Sequence, residues 1–428
     1  MKKNILIKSL QVLLIRGFGA ASSFLLTLTV TNTANVSDAG LFLFCFAIIN
    51  FFGLMLTVGS PQALIRIVGS NYDSNWSTIN HQFSVILKLV VGLCLVCSAV
   101  FYGFNHAIST SMFDKPLLAE LLPLAGLAIL FFALTQVFAS AFQGKHYPIL
   151  ASTIQNVIVP VCFIAGIGLF VLFDGFPSTI NMIWLYTGGL GLSALTGMYI
   201  WQYDRRAKIS YKKGFPLELR DSLYPLALVA VMSVCVEWVG QFAVATYLEA
   251  EQIAYFAAAQ RTALLASFVL LAVNLVVAPK FANAFSKGNL KKVNKLSLLS
   301  SRLMLLLATP MLLLMILLPE SIMGLFGKEY KVAAPLLQIM AVGQFINVIT
   351  GSVGYLLTMT KHEKDFKNVV LFTAPLAIVL AFVLTKEYGL LGAAYATSIS
   401  VGTQNLLAVC MVKKRLGFNT LNIFRRIN

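Results

Sequence analysis

Charge is scarce in this chain, and acid is scarcer than base. Only 11% of the 428 residues are charged, and 16 Asp and Glu stand against 32 Lys and Arg. A soluble domain carries about a quarter charged residues, so a string of soluble domains is excluded. Histidine is nearly missing: His81, His106, His146 and His362 lie in or near expected loops and form no metal constellation. The six cysteines all fall inside apolar runs. Cys94 and Cys97 form a CxxC, but no second pair or nearby His joins them, so they read as small apolar packing residues. No GxxxxGK[ST] phosphate loop occurs, which excludes ATP hydrolysis by this chain. No connecting segment can fold as a catalytic domain, and none carries a Ser/His/Asp or paired-acid set. The expectation is a protein that is not an enzyme and uses no cofactor.

What the chain has in abundance is long apolar runs. Hydrophobic residues make up 58% of it, with a mean hydropathy of +0.83. Twelve runs are each of a length that crosses the hydrocarbon of a bilayer, roughly 30 Å. They cover residues 9–31, 40–60, 83–105, 117–141, 149–172, 180–202, 222–245, 253–279, 297–318, 332–359, 366–385 and 390–412. Long, continuously apolar segments indicate helices rather than strands. The expected fold is therefore an all-α integral membrane protein of about twelve transmembrane helices. Arg16 interrupts the first run, which reads as a retained span and not as a cleaved signal peptide.

The basic excess then finds its place. With both termini in the cytoplasm, 25 of the 32 Lys and Arg fall on the cytoplasmic side and four on the outer side. That bias sets the orientation and requires an even number of spans. It also replaces the reading of net charge +16 as a nucleic-acid signal. Only Arg16, Lys88, Glu237 and Arg261 remain at membrane depth.

Two turns hint at a duplication. Asn35–Phe42 joins spans one and two, and Glu249–Phe256 joins spans seven and eight; both are short, acidic and on the outer side. Six spans plus six, each set starting inside, imply two parallel halves, residues 1–206 and 207–428. Transporters of that layout place their site at the repeat interface.

Ionisable groups at membrane depth cost about 2.5–3.5 kcal/mol even on the lenient scale, so each needs a reason. Arg261 is a cation well inside span eight. A guanidinium forks onto phosphate oxygens and cannot be discharged by burial; the alternative is a structural pair with Glu237. Arg16 is either a second cavity cation or a side chain that snorkels to the inner interface, and Lys88 reads as snorkelling. Glu237 in span seven is a proton or sodium coupling site or a structural salt bridge. Asn50, Gln136, Gln155, Asn156, Gln241, Gln260, Asn274, Gln344, Asn347, Gln404 and Asn405 either line a cavity or bond between helices. Pro160, Pro310 and Pro375 mark kinks.

Several stretches resemble a known family. Leu318–Tyr330 is similar to the outer loop after span nine of the polysaccharide exporters of the multidrug/oligosaccharidyl-lipid/polysaccharide (MOP) superfamily. Gly354–Lys361, Tyr388–Thr397 and Ser37–Gly40 are similar to further segments of that family, in order and spacing along the whole chain. The resemblance implies a MATE-like fold and a Wzx-type flippase. Such a protein moves undecaprenyl-diphosphate-linked O-antigen or capsular repeat units across the bacterial cytoplasmic membrane by alternating access. The related lipid II flippases carry a Tyr-x-x-Ala-x-Arg element in span eight, to which Tyr255 to Arg261 is similar, and an Arg-x-x-Gly-Phe element in span one, partly matched at Arg16–Gly19. The second arginine of that first span has no counterpart here, where Ser22 and Ser23 stand. The span number is twelve rather than fourteen, and both departures favour an O-antigen-type substrate.

The expectation that follows assigns Arg261, Arg16, Gln260, Gln241, Gln136 and Asn156 to the substrate and Glu237 to ion coupling, with no metal. Partners are the polyprenyl-diphosphate-linked oligosaccharide and membrane lipids, with a polysaccharide polymerase and chain-length regulator alongside, and no nucleic acid. The rivals are a cation-coupled multidrug exporter of the same superfamily and a membrane-embedded O-antigen polymerase or ligase. The drug exporter should favour acidic cavity residues. The polymerase should carry a large outer loop with catalytic Arg or His, which is missing.

Overall fold

A computed structural model describes residues 2–72, 75–173, 175–204 and 217–422. The expected boundary at 206/207, and the basic residues Arg205, Arg206, Lys208, Lys212 and Lys213, lie outside them. The described chain is helical, without a strand among those residues. It forms two compact units, Met1–Val234 with Glu249–Ala254, and Cys235–Leu248 with Tyr255–Asn428.

The first unit holds α1 (Lys2–Thr33), α2 (Val36–Leu56), α3 (Ser60–Asn71), α4 (Trp76–Gly103) and α5 (Leu118–Gly144). It continues through α6 (Pro148–Asn156), α7 (Ile158–Phe173) and α8 (Thr179–Tyr203). Helix α5 is its core and packs against α2, α3, α4, α6 and α8. In hydrocarbon there is no hydrophobic drive between helices, so contact depends on close packing and on bonds between helices. Ser98 of α4 shows this: its hydroxyl donates to the Gly126 carbonyl of α5 at 2.7 Å, and a Cβ on Gly126 would come within 3.0 Å of the Ser98 Cα.

Span two, expected over 40–60, lies four residues earlier, over Val36–Leu56. Helix α2 stops at Leu56, and Gly59 (φ 69°) turns the chain into α3, whose second residue is Pro61. The reason is a close approach: a Cβ on Gly59 would collide with the backbone of Leu226 and Ala227. The outer turn before α2 is held by Asn35, which accepts from the Asp38 amide at 2.8 Å, and by Thr179, whose hydroxyl donates to Asp38 Oδ1 at 2.9 Å. Beside it, Gly40 leaves room for the Ala250 carbonyl, where a Cβ would collide.

The remaining helices are α9 (Leu217–Tyr247), α10 (Ala250–Ser286), α11 (Leu290–Leu317), α12 (Pro319–Met323), α13 (Ala334–Thr350), α14 (Val353–Met359) and α15 (Glu363–Leu416). Span ten, expected to run unbroken over 332–359, is interrupted at Gly351 (φ 75°, ψ −150°). Spans eleven and twelve appear as one 54-residue helical stretch, α15, that folds at Gly389 (φ 59°, ψ −138°). Asp365 and Arg415, near its two ends, are joined by hydrogen bonds of 2.9 and 2.8 Å, so its limbs run antiparallel. Packing in the second unit centres on Phe281, Val293, Leu356, Leu357 and Val412.

Ten stretches among the described residues are long and apolar enough to cross a membrane, the folded α15 among them. Helix α8, 25 residues long, is the sixth expected span. Leu95, Val96, Leu172, Phe173, Leu306 and Leu307 are exposed along these helices. In water such a surface would aggregate; in lipid it is the contact surface of a multi-pass membrane protein.

Candidate functional site

Each unit carries its own polar cluster at membrane depth. In the first, the apolar stretch of α1 runs over Leu14–Thr33, so Arg16 stands in its first turn and is half-buried. Arg16 Nε donates to the hydroxyl of Ser152 on α6 at 3.4 Å. One helical turn further along both helices, Gly19 meets Asn156; a Cβ on Gly19 would lie 2.7 Å from Asn156 Cβ and 2.9 Å from Asn156 O. Asn156 Nδ2 donates to the Ser152 carbonyl at 3.3 Å. Gln155 donates to the side-chain carbonyl of Gln136 on α5, and Gln136 is buried.

This cluster sits where a membrane-spanning helix is broken. Span five, expected over 149–172, consists of α6 and α7 with a discontinuity at Val157. Pro160 has no N–H, so the Asn156 carbonyl loses the donor that a continuous helix would supply four residues on. Broken helices at membrane depth are tolerated where they line a water-filled cavity or are buried in protein.

In the second unit, α9 and α10 cross at Gly240, where a Cβ would lie 2.9 Å from the Phe256 ring and 3.0 Å from Thr397 Oγ1. Ala254 and Ala257 to Ala259 are buried along α10, and these small residues let the helices approach. Gln260 Nε2 donates to the Glu237 carbonyl at 3.2 Å. Arg261 is half-buried and supplies the positive charge that acts on the Glu237 carboxylate. Gln241 is buried on α9. An ionised acid in mid-helix cannot face hydrocarbon without large cost, so Glu237 requires water or a cation, and Arg261 is one such cation.

The structure thus groups Arg16 with Asn156 through Ser152, places Gln136 on the adjoining Gln155, and groups Gln260 and Arg261 with Glu237. Ser152, Gln155 and Gly19 join the first cluster without having been assigned to the substrate from the sequence. Their signals were spacing: Gly19 lies three residues after Arg16, and Ser152 four before Asn156. Lys88 is exposed on α4.

The family model for MatE matches residues 225–383. No curated protein matches the sequence. The structure superposes on an inward-facing multidrug resistance MATE family transporter of the MOP superfamily with a TM-score of 0.75 at 15% identity, covering 96% of this chain and 98% of that one. It superposes on a MOP superfamily transporter from Pyrococcus furiosus with a TM-score of 0.69 at 14% identity, covering 98% and 96%. It superposes on the lipid II flippase MurJ in an inward closed conformation with a TM-score of 0.72 at 18% identity, covering 98% and 91%. The chain is a multi-pass membrane protein with the fold of the MOP-superfamily transporters.

Proposed function

We propose that this protein flips polyprenyl-diphosphate-linked saccharide repeat units, of the O-antigen or capsule type, across the bacterial cytoplasmic membrane. The observation that carries the reading is the pairing of a guanidinium with a structural break or acid at membrane depth: Arg16 against the α6–α7 discontinuity, and Arg261 beside Glu237. A diphosphate is the ligand that a fixed guanidinium suits best. The fold shared with a lipid II flippase is compatible with a lipid-linked cargo. In this reading Arg261 and Arg16 bind phosphate oxygens, Gln260, Gln241, Gln136 and Asn156 serve the polar cargo, and Glu237 couples the movement to an ion gradient.

The test is appearance of lipid-linked repeat units in the lumenal leaflet of inverted membrane vesicles. Arg261→Ala should lower the rate at least tenfold, with Arg261→Lys intermediate because a lysine keeps charge but not the fork. Wild-type flipping by correctly inserted Arg261→Ala would refute the diphosphate role. A second reading, export of cationic small molecules, is favoured by the MatE match over residues 225–383 and by an acid, Glu237, at membrane depth on α9. It predicts drug resistance on expression that Glu237→Gln abolishes and Arg261→Lys leaves in place.

A further inference from the structure

A second polar site lies within the C-terminal unit, away from the charged residues assigned above. It is a cavity of about 230 Å³. Its polar wall is Ser267 and Asn274 of α10, Asn347 of α13, Ser352 in the break after α13, Tyr355 of α14, and Asn405 in the second limb of α15. Leucines and glycines complete it, and no Asp, Glu, Lys, Arg or His takes part.

The polar groups are positioned for something other than each other. Asn274 is 6% exposed, and its side-chain oxygen has no hydrogen-bond partner. A carboxamide oxygen stripped of water and left unbonded is unfavourable, so an occupant with donors is called for. Gln344 Oε1 accepts from both Ser267 Oγ at 2.9 Å and Asn347 Nδ2 at 3.1 Å. Asn405 Nδ2 donates to the Val401 carbonyl at 2.9 Å. These bonds fix the carboxamides of Asn347 and Asn405 and leave their oxygens to accept. The break at Gly351 opens the wall, and Gly351 itself sits where a Cβ would collide with Ser301 Oγ. Tyr355, 42% exposed, adds an aromatic face and a hydroxyl.

The chemistry selects among ligands. With no carboxylate on the wall, a cation would keep its charge uncompensated; with no basic group, so would an anion. An apolar ligand would leave the buried Asn274 oxygen unsatisfied. A ring bearing several neutral hydroxyls supplies donors to the carboxamide oxygens and accepts from the hydroxyls, while its C–H face can lie on the tyrosine. The volume suits a single sugar residue. We infer that this cavity is a saccharide subsite that holds one neutral sugar of the cargo, an inference that rests on the flippase reading for what delivers the sugar.

The experiment is saturation-transfer NMR on the full chain in detergent, with a panel of neutral methyl glycosides (gluco, galacto, manno, rhamno and N-acetylglucosamino) as probes. At least one glycoside should receive saturation, reduced fivefold or more in Asn274→Leu and in Tyr355→Ala. The second variant opens space rather than filling it, and thermal melting of both identifies any that fails to fold. No transfer to any glycoside, or transfer unchanged in both folded variants, overturns the subsite. Sodium-23 relaxation on the same samples gives a further arm: sodium binding lost in Asn274→Leu, without glycoside transfer, would make this a cation site and also overturn the inference. Glycoside binding without flipping would refute the flippase reading and leave the subsite standing. Flipping without glycoside binding would do the reverse.

Discussion

Gly19 and Asn156 stand so close that no side-chain carbon fits on the glycine: a Cβ there would lie 2.7 Å from Asn156 Cβ. The same helix pair is tied by Arg16 to Ser152 one turn away, so the glycine sets how near the guanidinium comes to the broken helix. Gly19→Ala should lower stability by about 1–3 kcal/mol, the usual range for overpacking, and should lower transport without removing any charge. Gly17, with nothing within 4 Å of a built Cβ, is the internal control. Gly17→Ala should be neutral or stabilising, since alanine is the better helix former by about 1 kcal/mol. Thermal melting of both variants checks this, and equal effects would refute the packing argument.

Glu237 is tied to α10 twice, through its backbone carbonyl by Gln260 and through its carboxylate by the charge of Arg261. The backbone bond survives a change of the side chain, so Glu237→Gln should leave the helix crossing intact. Its expected effect is functional: stimulation of transport by an imposed proton or sodium gradient should fall at least tenfold, while exchange without a gradient persists. Transport in vesicles with imposed gradients measures both. Undiminished gradient stimulation in Glu237→Gln would assign the acid to structure instead.

The twelve spans were legible because lipid imposes a length and an apolar content that composition reveals directly. The breaks were legible only in part. Pro160 announces the discontinuity between α6 and α7, since a missing N–H is a local fact. The end of α2 is marked locally by Gly59 and Pro61, but the break at Gly351 carries no such signal. Its close neighbour is Ser301, which is distant in sequence. The site residues divide in the same way. Arg16, Glu237 and Arg261 stood out because charge at membrane depth is expensive. Ser152 did not, because a serine in an apolar helix is common, and which helix it faces is decided by packing. Residues 386–389 were expected as a gap between spans; the glycine at 389 makes them a fold within one helical stretch.

Asp365 and Arg415 close the two limbs of α15 by paired hydrogen bonds. Those bonds outweigh the opposing effect of burial, the next largest, and with the positive charges of Arg415, His362 and Lys414 they hold the Asp365 carboxyl below the usual carboxylate range. A carboxyl lowered on folding stabilises the folded state above its unfolded pKa of about 3.9 and loses that contribution as pH falls through the lowered folded value. The pair should therefore act fully at pH 7, and Asp365→Asn should melt earlier than wild type there. The difference should shrink as pH drops below about 3.9 and should shrink with salt at pH 7, because the arginine is solvent-exposed. Melting curves across pH and ionic strength check this. A difference that grows on acidification would contradict it.

Lys145 ends α5 inside an aromatic enclosure. Its ammonium lies 3.2 Å from Asp204 Oδ2, 3.9 Å from the centre of the Trp201 ring and 4.9 Å from that of Trp76. Trp201 in turn stacks on Phe83 at 4.3 Å, so the cation helps to hold α4, α5 and α8 together. The two partners are unequally buried, 3% exposed for the lysine side chain and 24% for the aspartate. Removing one member of an ion pair costs most when the survivor is cut off from water. Lys145→Met leaves a carboxylate that water reaches and a chain that still fills the enclosure, so it should cost about 1–2 kcal/mol. Asp204→Ala removes a carboxylate from a deeply buried ammonium and should cost about 3 kcal/mol. Lys145→Met in the Asp204→Ala background should then recover part of the loss, because it removes the buried charge. Thermal melting of the two single variants and the double variant provides the cycle. A double variant less stable than Asp204→Ala alone would show that the rings, and not the carboxylate, carry the interaction.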